Sequence, residues 1–297
     1  IAGLTLANLL KSNPNFEFTI YEKNENLNLE EGFGVQLSVN CITILNKIGF
    51  NNLDKNVKYH PLKLDFYSMN LSKLCDLDLT EFNSENKKYT TLKRSTLIKF
   101  LKDKLFSNSI IFRKKINSIE KINEKIQIFF EDGSNDITDY LIVSDGVFSK
   151  TKSIILEKDV SPKFFNSVAL RGNIKNIDNN DISLYLGPNF HFVIYPVNQN
   201  KEFNFISIIR KKLNNNEIFK RNFFENREFL KSLSSEIYQK TSLNLADKLE
   251  NIKSFPVYVS KKFADCNYKN IYFIGDALFS FPPSFAQGAS QSIEAAN

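Results

Sequence analysis

In the first ten residues Leu4, Leu6, Ala7 and Leu10 share one side of a helix. After the turn at Asn13-Pro14, "FEFTIYE" (16–22) has the aromatic and β-branched content of a strand. A second helix is predicted at 39–48, with Ile42, Leu45 and Ile48 at helical spacing and Gly49 as its stop. Residues 62–80 turn strand-like ("LKLDFYSMN", "LCDLDL"), and "RSTLIKFLKDKL" (94–105) returns to helix with Leu97, Leu101 and Leu105 aligned. Three further strands are expected over 110–144, where Ile126, Ile128 and Phe130 alternate ahead of the Asp132-Gly133 turn and "YLIVSDG" closes the run.

Beyond 163 the pattern changes to a sheet-rich stretch ("SVALRGNI", "ISLYL", "FHFVIYPV", "FNFISII"). It is followed by a long charged helix near 215–239 and the strand "FPVYVS". "IYFI" (271–274) is a short buried strand that returns to the first sheet. The fold class implied is α/β: a Rossmann-like unit with a parallel sheet, interleaved with a second, sheet-rich α+β unit.

A chain of 297 residues with 42% hydrophobic and 24% charged positions can bury a large core. No window approaches eighteen consecutive apolar residues, and the opening residues lack the basic region and cleavage site of a signal peptide, so neither a membrane span nor export is expected. Cys41, Cys75 and Cys266 are far apart, and with two histidines in the chain no zinc cluster is assembled; reduced thiols and a cytoplasmic location follow. The net charge of +6 is spread along Asn- and Lys-rich segments, which favours a solvated surface over nucleic-acid binding.

Gly3 and Glu22 fit the last glycine and the ribose-binding acid of a dinucleotide-binding βαβ unit, whose other two glycines and first strand would precede residue 1. Any αβ unit can carry such a pair. However, "SDGVFSKTK" (144–152) and "FIGDA" (273–277) also place Asp-Gly and Gly-Asp after buried strands, at the sheet edge where ligands bind.

Together with "GFGVQLSVN" (32–40) and "TLKRSTLIKFL" (91–101), these segments resemble, in order and spacing along the whole chain, the FAD-dependent aromatic hydroxylases. These are single-component flavin monooxygenases of the salicylate hydroxylase and ubiquinone-pathway kind. The resemblance implies an FAD-binding domain at 1–60, 87–162 and 263–297, trimmed at both ends, and a substrate domain at 61–86 and 163–262. It implies cofactor contacts from Gly3, Glu22, Gln36, Arg94, Gly275 and Asp276, the last on the ribityl chain, with Asp145 and Gly146 serving both the FAD diphosphate and the nicotinamide donor. "PPSFAQGASQSIEAA" is then a stiff turn at Pro283 leading into a helix start at Gln287, Gly288 and Ala289, whose free N–H groups can stabilise negative charge on the reduced flavin ring. An ordinary proline turn before a helix is the plainer alternative.

The same resemblance implies that His191 and Tyr195, in "LGPNFHFVIYPV" (186–197), face the ring to be hydroxylated, and period-two geometry is compatible with one strand face. A half-exposed histidine and an interface tyrosine are the competing reading. The implied reaction is hydroxylation of a phenolic or related aromatic compound by O2 through a flavin hydroperoxide, with NADH or NADPH as donor. Another FAD-dependent outcome, such as an epoxidase or prenyl-chain reductase, and a flavin-binding remnant without turnover stay open; a halogenase is disfavoured because the chain has no Trp. Phe148, Lys152 and Phe279 stand where the family often has His, Arg and His, so the choice of donor is open, as is a homodimer.

Overall fold

Strand and helix order follow from the alternation of period-two and helical patterns. The computed structural model describes residues 1–297 apart from 28, 30–32, 264, 265 and 267 and the side chain of Arg221. Gly32 of the "GFGVQLSVN" stretch therefore lies outside the described residues. The first half runs α1 (Ala2–Leu10), β1 (Ile20–Tyr21), β2 (Gly34–Leu37), α2 (Val39–Lys47), β3 (Lys58–Tyr59), β4 (Lys63–Ser68), β5 (Lys73–Asp78), β6 (Thr90–Lys93), α3 (Arg94–Asp103), β7 (Ile110–Ile111), β8 (Ile116–Ile122), β9 (Lys125–Phe130), β10 (Asn135–Thr138), β11 (Leu141–Val143) and α4 (Lys150–Ile155). The second half continues β12 (Lys163–Ile174), β13 (Ile182–Leu186), β14 (Phe190–Pro196), β15 (Phe203–Arg210), α5 (Asn215–Ile218), α6 (Arg221–Glu225), α7 (Arg227–Tyr238), β16 (Leu249–Val259), β17 (Ile271–Phe273) and α8 (Gly288–Glu294).

β17 pairs in parallel with β11, and β1 in parallel with β7, so the last strand comes back beside the strand that ends in Asp145-Gly146. β2, β6 and β3 form a small antiparallel sheet. Among the described residues the largest sheet has the order β16-β12-β15-β14-β13-β4-β5, antiparallel except for the β13–β4 pair. Its strands come from two distant stretches of chain, 63–78 and 163–259.

The period-two pattern of β14 decides what each face does. Phe190, Phe192 and Ile194 are buried in a core with Phe205, Leu233 and Ile237, beneath α7. His191, Val193 and Tyr195 face the other way, with Ile208, Ile206 and Asn204 as their partners across β15.

Two expected elements differ from what forms. "FEFTIYE" is strand only at Ile20–Tyr21, because β7 offers two partner residues, Ile110 and Ile111, and Phe16 is left exposed. The charged helix at 215–239 is broken into α5, α6 and α7. Asn226 accepts from the backbone N–H groups of Glu228 and Phe229, so an Asn that reads as helix interior is instead a cap that starts a new helix. Gly49, by contrast, stops α2 as expected, at φ +85°, a left-handed conformation that glycine adopts without a Cβ penalty.

Candidate functional site

Charge converges at the start of α1. Arg94, Asp276 and Glu22, from three distant segments, lie near enough to the start of α1, where Gly3 stands, to act on it electrostatically. Arg94 is the first residue of α3, with its backbone N–H on the Phe33 carbonyl at 2.8 Å. Glu22 follows β1 and accepts from the Asn24 backbone at 2.9 Å through Oε1.

The glycines explain how close these segments come. A Cβ on Gly3 would lie 2.5 Å from the Ser144 Oγ, so α1 sits directly on the end of β11. A Cβ on Gly275 would lie 2.9 Å from the Ala2 Cβ and 3.1 Å from the Ser292 Oγ, and Gly275 has φ +59°. Gly146 has φ +84°, and open space surrounds its Cβ position. Asp276 keeps an exposed surface, yet the protein around it desolvates its carboxyl and raises it above the usual range. An open, crowded carboxylate beside a close glycine suits a polyhydroxylated chain, whose O–H groups need acceptors.

Lys152 is turned inward. Its side chain is buried, its ammonium donates to the Ala277 carbonyl at 2.9 Å, and burial lowers its pKa against the pull of Asp145. It ties α4 to the Gly-Asp-Ala turn and is withdrawn from any ligand outside. Lys152→Met keeps the bulk and removes the tie, and about 1.5 kcal/mol of stability is expected to go with it, read by chemical denaturation. Asp145 itself is exposed and accepts from the Thr151 N–H at 3.3 Å. Phe148 is exposed and packs edge-on against Tyr258 at 4.7 Å, and Phe279 stacks on Phe263 at 4.4 Å.

α8 begins at Gly288 with Gln287 as its cap, after a tight turn over Pro283–Phe285 and a left-handed Ala286 at φ 53°. Ala289 is half-buried, and Ser290 anchors the helix: its Oγ accepts from the Ser38 N–H at 3.0 Å and from the Cys41 thiol at 3.4 Å. Burial, above all, pushes the Cys41 thiol up to about 11, so this cysteine is an inert packing group.

Gln36 lies where the small sheet meets the large one. Its Oε1 accepts from the Tyr89 hydroxyl at 2.8 Å, and its side chain also bonds the Tyr195 hydroxyl. Tyr195 is 3% exposed, while His191 is half-buried. They share a strand face, with their Cα atoms about 13 Å apart along it. The His191 ring has no hydrogen-bond partner among the described residues, and burial alone lowers its pKa, leaving a neutral imidazole at pH 7.

His60, whose Nδ1 lies 3.1 Å from the Thr90 Oγ1, is also lowered, mainly by burial. Both histidines bind protons less readily folded than unfolded. Stability is therefore full above about pH 6.5 and falls as pH drops below it, where the unfolded chain takes up protons first. The urea midpoint is expected to be lower at pH 5.5 than at 7.5, before most carboxylates titrate.

No family model matches the chain. Over 161 residues it is 29% identical to the FAD-dependent monooxygenase PenE of Penicillium thymicola, a match covering 52% of this chain and 32% of that protein. Over 114 residues it is 29% identical to salicylate hydroxylase of Pseudomonas putida, covering 32% of this chain and 26% of that one. The matches thus span a third or less of these curated relatives. Among solved structures, HpxO of Klebsiella pneumoniae, complexed with FAD and uric acid, superposes with a TM-score of 0.81 over 99% of this chain and 75% of that one, at 17% identity. The fold is that of the FAD-dependent monooxygenases. A second neighbour, 2,6-dihydroxypyridine-3-hydroxylase of Arthrobacter nicotinovorans, agrees, with a TM-score of 0.80 over 99% of this chain and 79% of that one, at 14% identity. Within this monooxygenase fold, Gly34, Tyr89, Lys152 and Asn204 hold the site together although nothing local in the sequence marks them. The second glycine of "GFG" was the one available signal.

Proposed function

We propose that this protein is an FAD-dependent, NAD(P)H-driven monooxygenase that hydroxylates a phenolic or related aromatic compound with O2. The convergence of Glu22, Arg94 and Asp276 on the glycine-opened start of α1, beside Gly275, supports it most. In this reading the stretches 1–60, 87–162 and 263–297 carry the cofactor, and 61–86 and 163–262 supply the substrate wall. Glu22 and Asp276 accept from FAD hydroxyls, Arg94 offsets phosphate charge, and the start of α8 at Gln287–Ala289, behind Pro283, borders the flavin ring. Asp145 and Gly146 stand on the side of the diphosphate and the nicotinamide donor. When bound, FAD takes hydride from the nicotinamide and activates O2 for transfer to the ring.

The chain's own residues do the remaining work. His191, neutral and unpartnered, takes the proton of a phenolic hydroxyl, which makes the ring a better nucleophile. Val193, Ile206 and Ile208 give that wall an apolar surface that excludes water. The free cysteines suit a reducing, cytoplasmic setting, and no helix among the described residues is long and apolar enough to cross a membrane.

The test is a flavin titration of the full-length protein, followed by NADH and NADPH oxidation with a panel of phenols and aromatic acids. A yellow protein whose pyridine-nucleotide oxidation is stimulated by one of them is expected. A protein that takes up no FAD sinks the proposal.

A further inference from the structure

We infer that Gly34, Asn204 and Tyr195 are positioning residues: a strand site without a side chain, a buried acceptor and a buried ring that together set the strand carrying His191 against the cofactor side of the molecule. The inference rests on the proposed function, in that it says how the substrate wall is placed for that reaction.

Gly34 does not have a positive φ, so its backbone conformation does not demand glycine. Space does. A Cβ there would lie 2.7 Å from the Tyr195 Cε2, 2.8 Å from the Tyr195 hydroxyl oxygen and 2.8 Å from the Asn204 Cβ. The Gly34 N–H donates to the Asn204 Oδ1 at 2.6 Å. Tyr195 and Asn204 are paired across β14 and β15, so one residue of β2 is seated in a notch made by two strands of the large sheet.

Neighbouring contacts repeat the link between the small sheet and the large one. The Thr91 hydroxyl of β6 donates to the Pro196 carbonyl at 2.5 Å, Lys93 pairs with Glu202, and Gln36, held by Tyr89, reaches the Tyr195 hydroxyl. All of these lie at the Tyr195 end of β14. Among the described residues nothing comparable holds the ring at the His191 end, about 13 Å away. The position of His191 is therefore inherited along a stiff strand from the joint at its far end, and a small displacement at Gly34 is carried to the wall.

Ordinary interface packing would give the same burial without setting the wall, and the two histidines of the chain allow the readings to be separated. In the full-length protein, with histidine labelled at the ring carbons, both imidazoles are titrated by NMR in wild type, Gly34→Ala, Asn204→Ala, Asn204→Asp and Tyr195→Phe. In Gly34→Ala and Asn204→Ala the His191 midpoint is expected to rise toward the ordinary value by about 0.5 pH unit or more, as the wall opens and burial falls. His60, beside Thr90 and on the far side of β6 from the β2 strand that carries Gly34, is expected to stay where it was. Asn204→Asp restores the acceptor and returns His191 toward wild type, although its added negative charge works against that return.

The inference is overturned if His191 does not move in folded Gly34→Ala or Asn204→Ala, or if both histidines move together, which reports general loosening. Should Gly34→Ala fail to fold, Asn204→Ala decides by the same criterion. Failure of the wild type to bind FAD overturns the proposed function instead, and the histidine titration reads the joint whether or not FAD binds.

Discussion

His191→Asn in the full-length protein lowers hydroxylation about 10²-fold or more, the usual scale for losing a general base, while fold and FAD affinity stay at wild-type values. Asparagine matches the imidazole in polarity and approximate size but cannot take a proton near pH 7. The effect is confined to oxygen transfer because hydride transfer to FAD needs no deprotonated phenol. NAD(P)H consumption should therefore persist, with O2 ending as hydrogen peroxide. Since burial holds His191 below its ordinary value, the acid limb of the wild-type rate should lie below pH 6.5, and this limb should vanish in the variant. Tyr195→Phe is the comparison: it keeps a buried ring and removes a hydroxyl already engaged by Gln36, so its loss of rate should be clearly smaller. Product and peroxide per NAD(P)H, measured for both, settle the assignment. A His191→Asn enzyme that stays coupled at the wild-type rate makes the histidine a structural residue.

Asp276→Ala comes next in size, with FAD affinity falling about 10- to 100-fold, or 1–3 kcal/mol. The carboxylate has an exposed surface yet is desolvated by its surroundings, so the ligand hydroxyl that it accepts from loses its partner while still being withdrawn from water. The fold around it should survive, because the segment is held by other means: Gly275 against Ala2 and Ser292, the Lys152 ammonium on the Ala277 carbonyl, and the parallel pairing of β17 with β11. A flavin fluorescence titration gives the number. Unchanged affinity would reduce Gly-Asp-Ala to a turn that ends a strand.

Much of the scaffold was legible because its signals are local. Ile126, Ile128 and Phe130 alternate and are buried in β9; Gly49 ends α2 in the left-handed conformation that favours glycine; and the odd and even residues of β14 divide between two faces. The misreadings were also local but ambiguous. Asn226 looks like one polar residue in a helix until its side chain is seen capping α7, and the length of "FEFTIYE" as a strand is set by the two residues of β7 that it meets.

Site placement was partly legible. The order of the glycine and acid segments along the chain places Gly3, Glu22, Arg94 and Asp276 near the start of α1. The partners of Gln36 were not legible, because an alternating strand does not reveal which of two facing sheets will claim an amide. The Gly34–Asn204 contact joins residues 170 positions apart and depends on a shape that only the folded pair creates. In the sequence Lys152 only stands where the resembled family often has Arg, and the return of β17 beside β11 is what brings the Ala277 carbonyl within its reach.

The most direct measurement is the fate of molecular oxygen. Full-length protein reconstituted with FAD is incubated with NAD(P)H, the aromatic compound that best stimulates its oxidation, and ¹⁸O2, and the product is weighed by mass spectrometry. The account predicts a ring carrying one labelled oxygen atom, with the second atom released as water. A product oxidised or reduced without gain of oxygen, or one whose new oxygen comes from water, contradicts it.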